Sequence, residues 1–265
     1  MCRNYLVIAI LCLLSLPVGA KRSSEVFSQL QFYTEEYPPY NFIENKKTKG
    51  VAVDLLQESA ELLNSELQGD AIKFRPWARS YRTALRQKNA VLFSAARTEF
   101  REDLFQWVGP IAQTRVVLIA KKNSGILVED KKDIRYYSIG VMIDDVGEQL
   151  LTKDDAILDN RIDVAYSAEA LAHMLMHDRI DLWAYEERAA LHAIKKAGYS
   201  PNDFQLVYNL QTVDLYFALN KAVPSETVLA FQNAVDLITK ASGARNDSTF
   251  VNRYGENLEV YWEGN

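Results

Sequence analysis

Residues 115–125 read RVVLIAKKNSG, and this stretch decides how the chain is divided. Residues 116–119 form an unbroken apolar run that predicts a strand, and the polar residues 121–125 end that strand in a turn. Strands and helices alternate before this stretch, and a second alternating series follows it. We therefore expect the chain to pass from one lobe of the protein to another at this strand.

The series before this stretch predicts a first α/β lobe. Apolar and polar residues partly alternate over 26–33, which predicts a strand that leads to a turn at Pro38-Pro39. A helix is predicted to start near Asp54, because the apolar residues after it follow helical spacing. The other predicted elements are a strand at 72–74, a helix at 80–87 and a strand at 90–93. This alternation is typical of a mainly parallel sheet covered by helices.

The series after it predicts a second lobe of the same kind, which is inserted into the first. Its predicted strands are 138–142, 163–165 and 180–183, and its predicted helices are 147–152, 168–177 and 187–197. Two extended segments, 206–208 and 215–219, then carry the chain back, and a last helix runs from Pro224 to near Gly243.

The sequence thus predicts a two-lobed α/β protein with a two-strand hinge. The first lobe is discontinuous (21–118 and 212–265), and the second lobe comprises 119–211. Ligands of open α/β sheets bind beyond the carboxyl ends of the strands. Two such lobes that face each other are therefore expected to enclose a ligand cleft.

The first twenty residues predict a secretory signal peptide. One positive charge, Arg3, precedes an apolar stretch at 5–14, and the small residues Val18 and Ala20 follow it. The apolar stretch is shorter than the roughly 20 residues that span a bilayer, so we expect cleavage and export to the periplasm. Both cysteines, Cys2 and Cys12, lie in this peptide, which excludes disulfides and thiolate metal sites from the mature chain.

The charge of the chain excludes nucleic acid as an expected partner. The formal net charge is −5 at pH 7, and the lysines and arginines are scattered along the sequence. A basic stripe, which is the electrostatic footprint of a nucleic-acid-binding protein, is not predicted.

Three segments carry a resemblance to a known family. They are TEEYPPYNF at 34–42 followed by GVAVDL at 50–55, SAARTEFR at 94–101 followed by Phe105 and Gly109-Pro110, and RIDLWAYE at 179–186. In this order and at these separations they resemble the family 3 extracellular solute-binding proteins, the polar amino-acid receptors of ABC transporters. The resemblance implies a periplasmic-binding-protein type II-like fold. It also implies a monomer that closes around a small polar ligand, without a cofactor, for an inner-membrane ABC permease.

The resemblance assigns two arginines in the first lobe to the ligand carboxylate. Arg101 matches the family arginine that follows a threonine by three residues, here Thr98. A guanidinium suits this task because it can donate two parallel hydrogen bonds to a carboxylate. Arg97 is the alternative, since it directly precedes Thr98 and can take or share the role. Arg101 can instead pair with acidic neighbours on the surface.

The resemblance also names polar and aromatic contacts in the first lobe. Tyr40 matches the aromatic residue that lines the cleft after the proline pair, where a ring can stack on a ligand. Trp77 is a second candidate for the cleft wall, with a place in the core as the alternative. Ser94 matches a position that contacts ligand in relatives. Ala96 departs from the family, which often has a hydroxyl residue there.

In the second lobe, the resemblance assigns Glu186 to the ammonium group of an amino acid. The alternative is that its charge stabilises the N-terminus of the helix that follows. Asp144-Asp145 occupies the place where the family presents a helix N-terminus to the ligand carboxylate. These aspartates are expected to cap the helix, or else to contact a cationic part of the ligand.

Two rival functions use the same architecture. A ligand-sensing module for a membrane signalling partner is one, and a secreted dehydratase-like enzyme with Glu186 as general acid is the other. No catalytic pair supports the enzyme, so we assign no catalytic residue. His173 and His177 have a spacing that can bind metal, but no metalloprotease motif surrounds them, so we expect no metal site.

Overall fold

The computed structural model of the protein describes residues 18–67, 69–152 and 161–241. The predicted signal peptide, apart from residues 18–20, and the C-terminal part of the predicted first lobe, 242–265, lie outside the described residues. Within the described ranges, no helix combines the length and the apolar character that a membrane span needs.

Ten strands and eight α-helices make up the described part of the chain. The strands are β1 Gln31–Thr34, β2 Phe42–Glu44, β3 Lys47–Lys49, β4 Ile72–Phe74, β5 Ala90–Ala96, β6 Phe105–Lys121, β7 Ile139–Met142, β8 Ile162–Ala165, β9 Leu182–Glu186 and β10 Phe204–Asn220. The helices are α1 Val18–Ser28, α2 Val51–Leu62, α3 Trp77–Arg86, α4 Glu99–Glu102, α5 Val146–Thr152, α6 Ala168–Met176, α7 Glu187–Lys196 and α8 Ser225–Ala241. The predicted alternation of strands and helices is confirmed.

Two long strands join the lobes. β6 and β10 run antiparallel along their whole length, from the pair Phe105↔Asn220 to the pair Lys121↔Phe204. At one end β5 pairs with β10, and at the other end β9 pairs with β6. The resulting sheet has the order β4-β1-β5-β10-β6-β9-β7-β8, with parallel pairs inside each lobe. The two-lobed α/β fold with a two-strand hinge is therefore confirmed, whereas the residue bounds of the lobes stay a prediction.

Several predicted element bounds were wrong. The strand predicted at 26–33 begins only at Gln31, because Phe27 belongs to α1 and packs on Phe231 with ring centroids 5.0 Å apart. The strand predicted at 180–183 is β9, which starts two residues later. The segments predicted at 206–208 and 215–219 are one strand, β10, because the polar residues between them continue the ladder through bulges.

The start of α2 is set by a close approach of two main-chain segments. This helix begins at Val51 rather than near Asp54, and Gly50 precedes it with a φ of 122°. A Cβ atom on Gly50 would lie 2.3 Å from the main-chain oxygen of Tyr40. Only glycine fits there, and this contact holds the turn after β1 against α2.

Candidate functional site

A small cavity lies between the lobes, beyond the carboxyl ends of β1, β5 and β7. Its volume is about 10 Å³, which is roughly the space of one water molecule. The side chains of the two lobes therefore meet closely at this point. The residues that line it are Thr34, Glu35, Tyr37, Trp77, Phe93, Ser94, Ala96, Arg101, Asp145 and Val146.

Arg101 is the buried cation of this cavity. Its side chain is 1% exposed, and its guanidinium lies over the rings of Trp77 and Tyr81, at 5.1 and 5.2 Å from their centroids. Two of its nitrogens donate to the carbonyls of Ala96, at 3.3 Å, and Asp144, at 3.1 Å. The buried Nε has no partner among the described residues. Burial lowers the pKa of Arg101, so an anion beside it would be favourable.

Arg97 lies outside the cavity. Its guanidinium forms two hydrogen bonds to Glu102, at 2.7 and 2.5 Å, and stacks over the rings of Trp107 and Tyr216. The hydrogen bond to Glu102 raises the pKa of Arg97. Of the two candidate arginines, the structure thus brings only Arg101 to the cleft.

Ser94 reaches the cavity through an unusual backbone conformation. It lies within β5 with a φ of 56°, in the left-handed region, opposite an irregularity of β10. Its hydroxyl donates to the side chain of Asn41, which in turn donates to Thr34 Oγ1 and to the carbonyl of Glu35, both at 2.7 Å. Left-handed conformations of non-glycine residues cost about 1 kcal/mol or more and concentrate at functional sites. This network fixes the end of β1 against the cavity.

The aromatic wall consists of Tyr37, Trp77 and Phe93. Trp77 donates from Nε1 to the carbonyl of Asp144 at 2.8 Å and so links the lobes. Tyr40 was predicted to line the cleft, but it is fully buried behind Tyr37, with ring centroids 5.4 Å apart. The residue before the proline pair, rather than the one after it, faces the cavity.

Two carboxylates accompany Arg101 on the cavity wall. Asp145 is buried and accepts backbone N–H groups of Val146 and Gly147 as the cap of α5, as one alternative predicted. Burial raises the pKa of Asp145, although the charge of Arg101 opposes this. Burial also raises the pKa of Glu35 well above its ordinary value, with a further contribution from the charge of Asp145. The wall therefore carries one guanidinium and two carboxyl groups.

Glu186 lies behind the cavity rather than on its wall. It is 1% exposed, and its Oε2 accepts from the backbone of Ala189 at 2.7 Å as the N-cap of α7. Its Oε1 accepts from the hydroxyl of Thr114 and from that of Tyr40, the latter at 3.3 Å. Burial raises the pKa of Glu186 to about 7, against the effect of these hydrogen bonds. Glu186 thus lies where the alternative prediction placed it, at the N-terminus of helix α7.

Further contacts hold the lobes together at the rim of the cleft. Arg82 pairs with Asp144 at 2.8 Å, and Lys196 pairs with Glu36 at 3.1 Å. A groove of about 370 Å³ lies beside the cavity, with Glu35 on the wall of both. Sequence reasoning missed Glu35, although it lies in the first of the three family-like segments.

The two helical histidines lie away from this cleft. His173 Nδ1 and His177 Nε2 both contact the hydroxyl of Tyr199, at 2.7 and 3.3 Å. Across residues 18–67, 69–152 and 161–241, no group of three or more His, Cys, Asp or Glu side chains is arranged to hold a metal ion.

Comparisons with known proteins agree with this fold. The family described as bacterial extracellular solute-binding proteins, family 3, matches residues 31–242. Among solved structures, the P235GK mutant of ArgBP from T. maritima has a TM-score of 0.70 and 19% identity, and the match covers 91% of this chain and 98% of that one. Tv2483 bound to L-arginine has a TM-score of 0.71 and 16% identity, and the match covers 90% and 95% of the two chains.

A solved histidine kinase sensor domain with similarity to periplasmic binding proteins also matches. Its TM-score is 0.70 at 15% identity, and the match covers 81% of this chain and 92% of that one. At these identities the structural likenesses show the fold alone. No curated protein matches the sequence.

Proposed function

Because the chain belongs to the bacterial extracellular solute-binding proteins of family 3, we propose that it captures a small polar solute, an amino acid, in the periplasm. In this proposal the monomeric protein closes its cleft around the solute and delivers it to an inner-membrane ABC permease. The family and the structural neighbours are binding proteins, and accordingly we assign no catalytic residue.

One observation carries the proposal. Arg101 is a fully buried guanidinium between the lobes, its plane is set by the rings of Trp77 and Tyr81, and its Nε has no partner in the described part of the chain. A buried cation with a free donor is suited to an anion, and a carboxylate gains a charge-assisted hydrogen bond there. We therefore assign the ligand carboxylate to Arg101.

The carboxyl groups on the wall favour a ligand that also carries positive charge. Glu35 and Asp145 face the same cavity as Arg101, and each is partly or fully removed from water. An α-ammonium group would balance one of them, and a cationic side chain would balance the other. The T. maritima and Tv2483 structures with bound arginine support this choice, so L-arginine is the first candidate.

Closure is the proposed mechanism. A ligand that touches both lobes favours the conformation in which they meet, by the free energy of those additional contacts. The bonds of Trp77 and Arg82 to Asp144 and that of Lys196 to Glu36 join the lobes when they meet. Strands β6 and β10 would act as the hinge.

A sensing role is the second candidate function. The similar fold of a histidine kinase sensor domain favours it. In that case the same closure would be read by a membrane signalling partner instead of a permease. Solute binding is common to both roles, so pull-down of the partner from membranes, with and without solute, distinguishes a permease from a kinase.

A thermal-shift screen tests the binding function. The purified protein is heated with amino acids, small carboxylates, amines and sugars at 1 mM, and hits are confirmed by calorimetry. A ligand with a micromolar Kd stabilises the folded protein by about 4 kcal/mol at this concentration, which raises Tm by roughly 10 °C. Stabilisation by L-arginine that is recovered unchanged supports the proposal. Absence of any binding solute, or consumption of a hit, contradicts it.

A further inference from the structure

Glu186 connects all three parts of the molecule that move relative to one another when the cleft opens. The residue itself caps α7 in the second lobe, where its Oε2 accepts from Ala189 N–H at 2.7 Å. Its Oε1 accepts from Thr114, which lies on the hinge strand β6, and from Tyr40, which lies on the first lobe. One carboxyl group is therefore shared by the two lobes and the hinge.

The first lobe supplies much of the cover over this carboxyl group. Tyr40 is fully buried against it, and Tyr37 packs beside both Tyr40 and Tyr185. Because Tyr37 and Tyr40 belong to the turn after β1, they leave with the first lobe when the lobes separate. Separation of the lobes would therefore remove the cover that Tyr37 and Tyr40 give Glu186, which caps α7 of the second lobe.

The groups that face Glu186 leave its charge poorly compensated in the closed cleft. The first lobe contributes Tyr37 and Tyr40, β9 contributes Tyr185, and α7 contributes Glu187 and Arg188. The nearest carboxylate, Glu187, adds repulsion, and its own salt bridge goes to Arg115 at 2.6 Å. Arg188 contributes a backbone hydrogen bond. Burial, the largest effect, raises the pKa of Glu186 from 4.5 to about 7.

We propose that closing the cleft takes up a proton on Glu186, so that solute capture strengthens as the pH falls through neutrality. This inference rests on the proposed function, because it describes how that same cleft is regulated. In the open form Glu186 is hydrated and charged. In the closed form the neutral state predominates below about pH 7, and its remaining oxygen lone pairs still accept from Thr114, Tyr40 and Ala189.

The size of the effect follows from the two protonation equilibria. With a pKa of about 7 in the closed form and 4.5 when hydrated, the solute binds up to about tenfold more tightly at pH 6 than at pH 8, and the full factor applies where the free cleft is open at both pH values. Closure at pH 6 takes up about 0.9 proton, and closure at pH 8 takes up about 0.1 proton. Above pH 8 and below pH 4 the affinity is expected to level off.

Two measurements test the proposal, and the first does not require a solute. The side-chain carboxyl of Glu186 is titrated by 13C NMR, and the radius of gyration is measured by X-ray scattering at pH 6 and pH 8. We expect an apparent pKa near 7 and a larger radius at pH 8. E186Q mimics the protonated form and should stay compact at both values, whereas E102Q removes an exposed ion pair outside the cleft and should keep the wild-type difference.

The second measurement is calorimetric titration with L-arginine in buffers of different ionisation enthalpy. Wild type should take up protons at pH 6 in proportion to the fraction of free protein that scattering shows to be open, up to about 0.9 proton, and E186Q should take up none and bind with the same affinity at both pH values. If arginine fails to bind while the scattering difference persists, the ligand assignment fails and the proton linkage stands. If wild type and E186Q change equally with pH, or if Glu186 titrates near 4.5, the proton linkage is refuted even where arginine binds.

Discussion

Replacement of Arg101 by alanine is expected to weaken the binding of a ligand carboxylate by about 1.5–3 kcal/mol, the usual contribution of a hydrogen bond to a charged group. This corresponds to a rise of about 10- to 150-fold in Kd. The structure supports a value within this range because the guanidinium is 1% exposed, so solvent screens it little. The rings of Trp77 and Tyr81 also fix its plane before a ligand arrives.

The matched control is R97A. Arg97 is separated only by three residues from Arg101 in sequence, but its guanidinium is bound to Glu102 outside the cavity. Exposed ion pairs contribute roughly 0–1 kcal/mol to stability, so we expect a small loss of stability and unchanged affinity. R101K provides a second comparison, since it keeps the charge and loses the planar fork that a carboxylate prefers.

Calorimetry with two ligands separates the carboxylate from every other contact. L-Arginine is compared with agmatine, which lacks the carboxylate, at pH 7 and 0.15 M salt. R101A should weaken arginine binding and leave agmatine binding nearly unchanged. Arg101 and the ligand carboxylate form one interacting pair, so once the carboxylate is absent the loss of Arg101 has no further effect on binding. The unfolding free energy is measured in parallel, since R101A also loses its bonds to the carbonyls of Ala96 and Asp144. Equal losses for both ligands, or an R97A variant as weak as R101A, would refute the assignment.

Three other perturbations have defined outcomes. The unfolding free energy of wild type, measured by urea titration, should fall as the pH rises from 4.5 to 7, because the pKa of Glu186 in the folded protein lies above its ordinary value. E186Q cannot titrate at this position, so it should remove up to about 3 kcal/mol of that fall. W77F deletes the indole donor to Asp144. Loss of this hydrogen bond, about 1 kcal/mol, should weaken solute binding about fivefold in calorimetry with little change in Tm. An unchanged Kd would contradict the inter-lobe role of Trp77. G50A should lower the unfolding free energy by about 3 kcal/mol, whereas G125A, which has no atom within 4 Å of the new Cβ, should lower it by about 1 kcal/mol.

The fold was predictable from sequence because local patterns dominate it. The buried run in β6 and the helical spacing in α7 and α8 are each contained within one segment, so periodicity is enough to identify them. Element ends were less predictable, since they depend on distant partners. Phe27 is helical because it packs on Phe231, about two hundred residues later in the chain.

The site was predictable only where a motif points to one residue. Arg101, Trp77 and Ser94, which the family resemblance assigned to the ligand, line the cavity, and their contact with a ligand stays a prediction. The sequence could not show that Tyr37, rather than Tyr40, faces the cavity, because a residue on either side of a proline pair can face the cleft. The contacts of Glu186 join residues far apart in sequence, and a raised pKa depends on burial that only the packed lobes create.

The position of β10 between β5 and β6 constrains the order in which the protein can fold. These two strands follow each other in the chain, yet they do not pair, because β10 lies between them and bonds to both. A nascent chain that ends before residue 204 therefore leaves one edge of each strand without its partner. Contacts of such long sequence separation slow folding and expose strand edges to other chains. The sheet can be completed only after the return strand β10 has been synthesised, so its central part forms last however early the flanking strands are made.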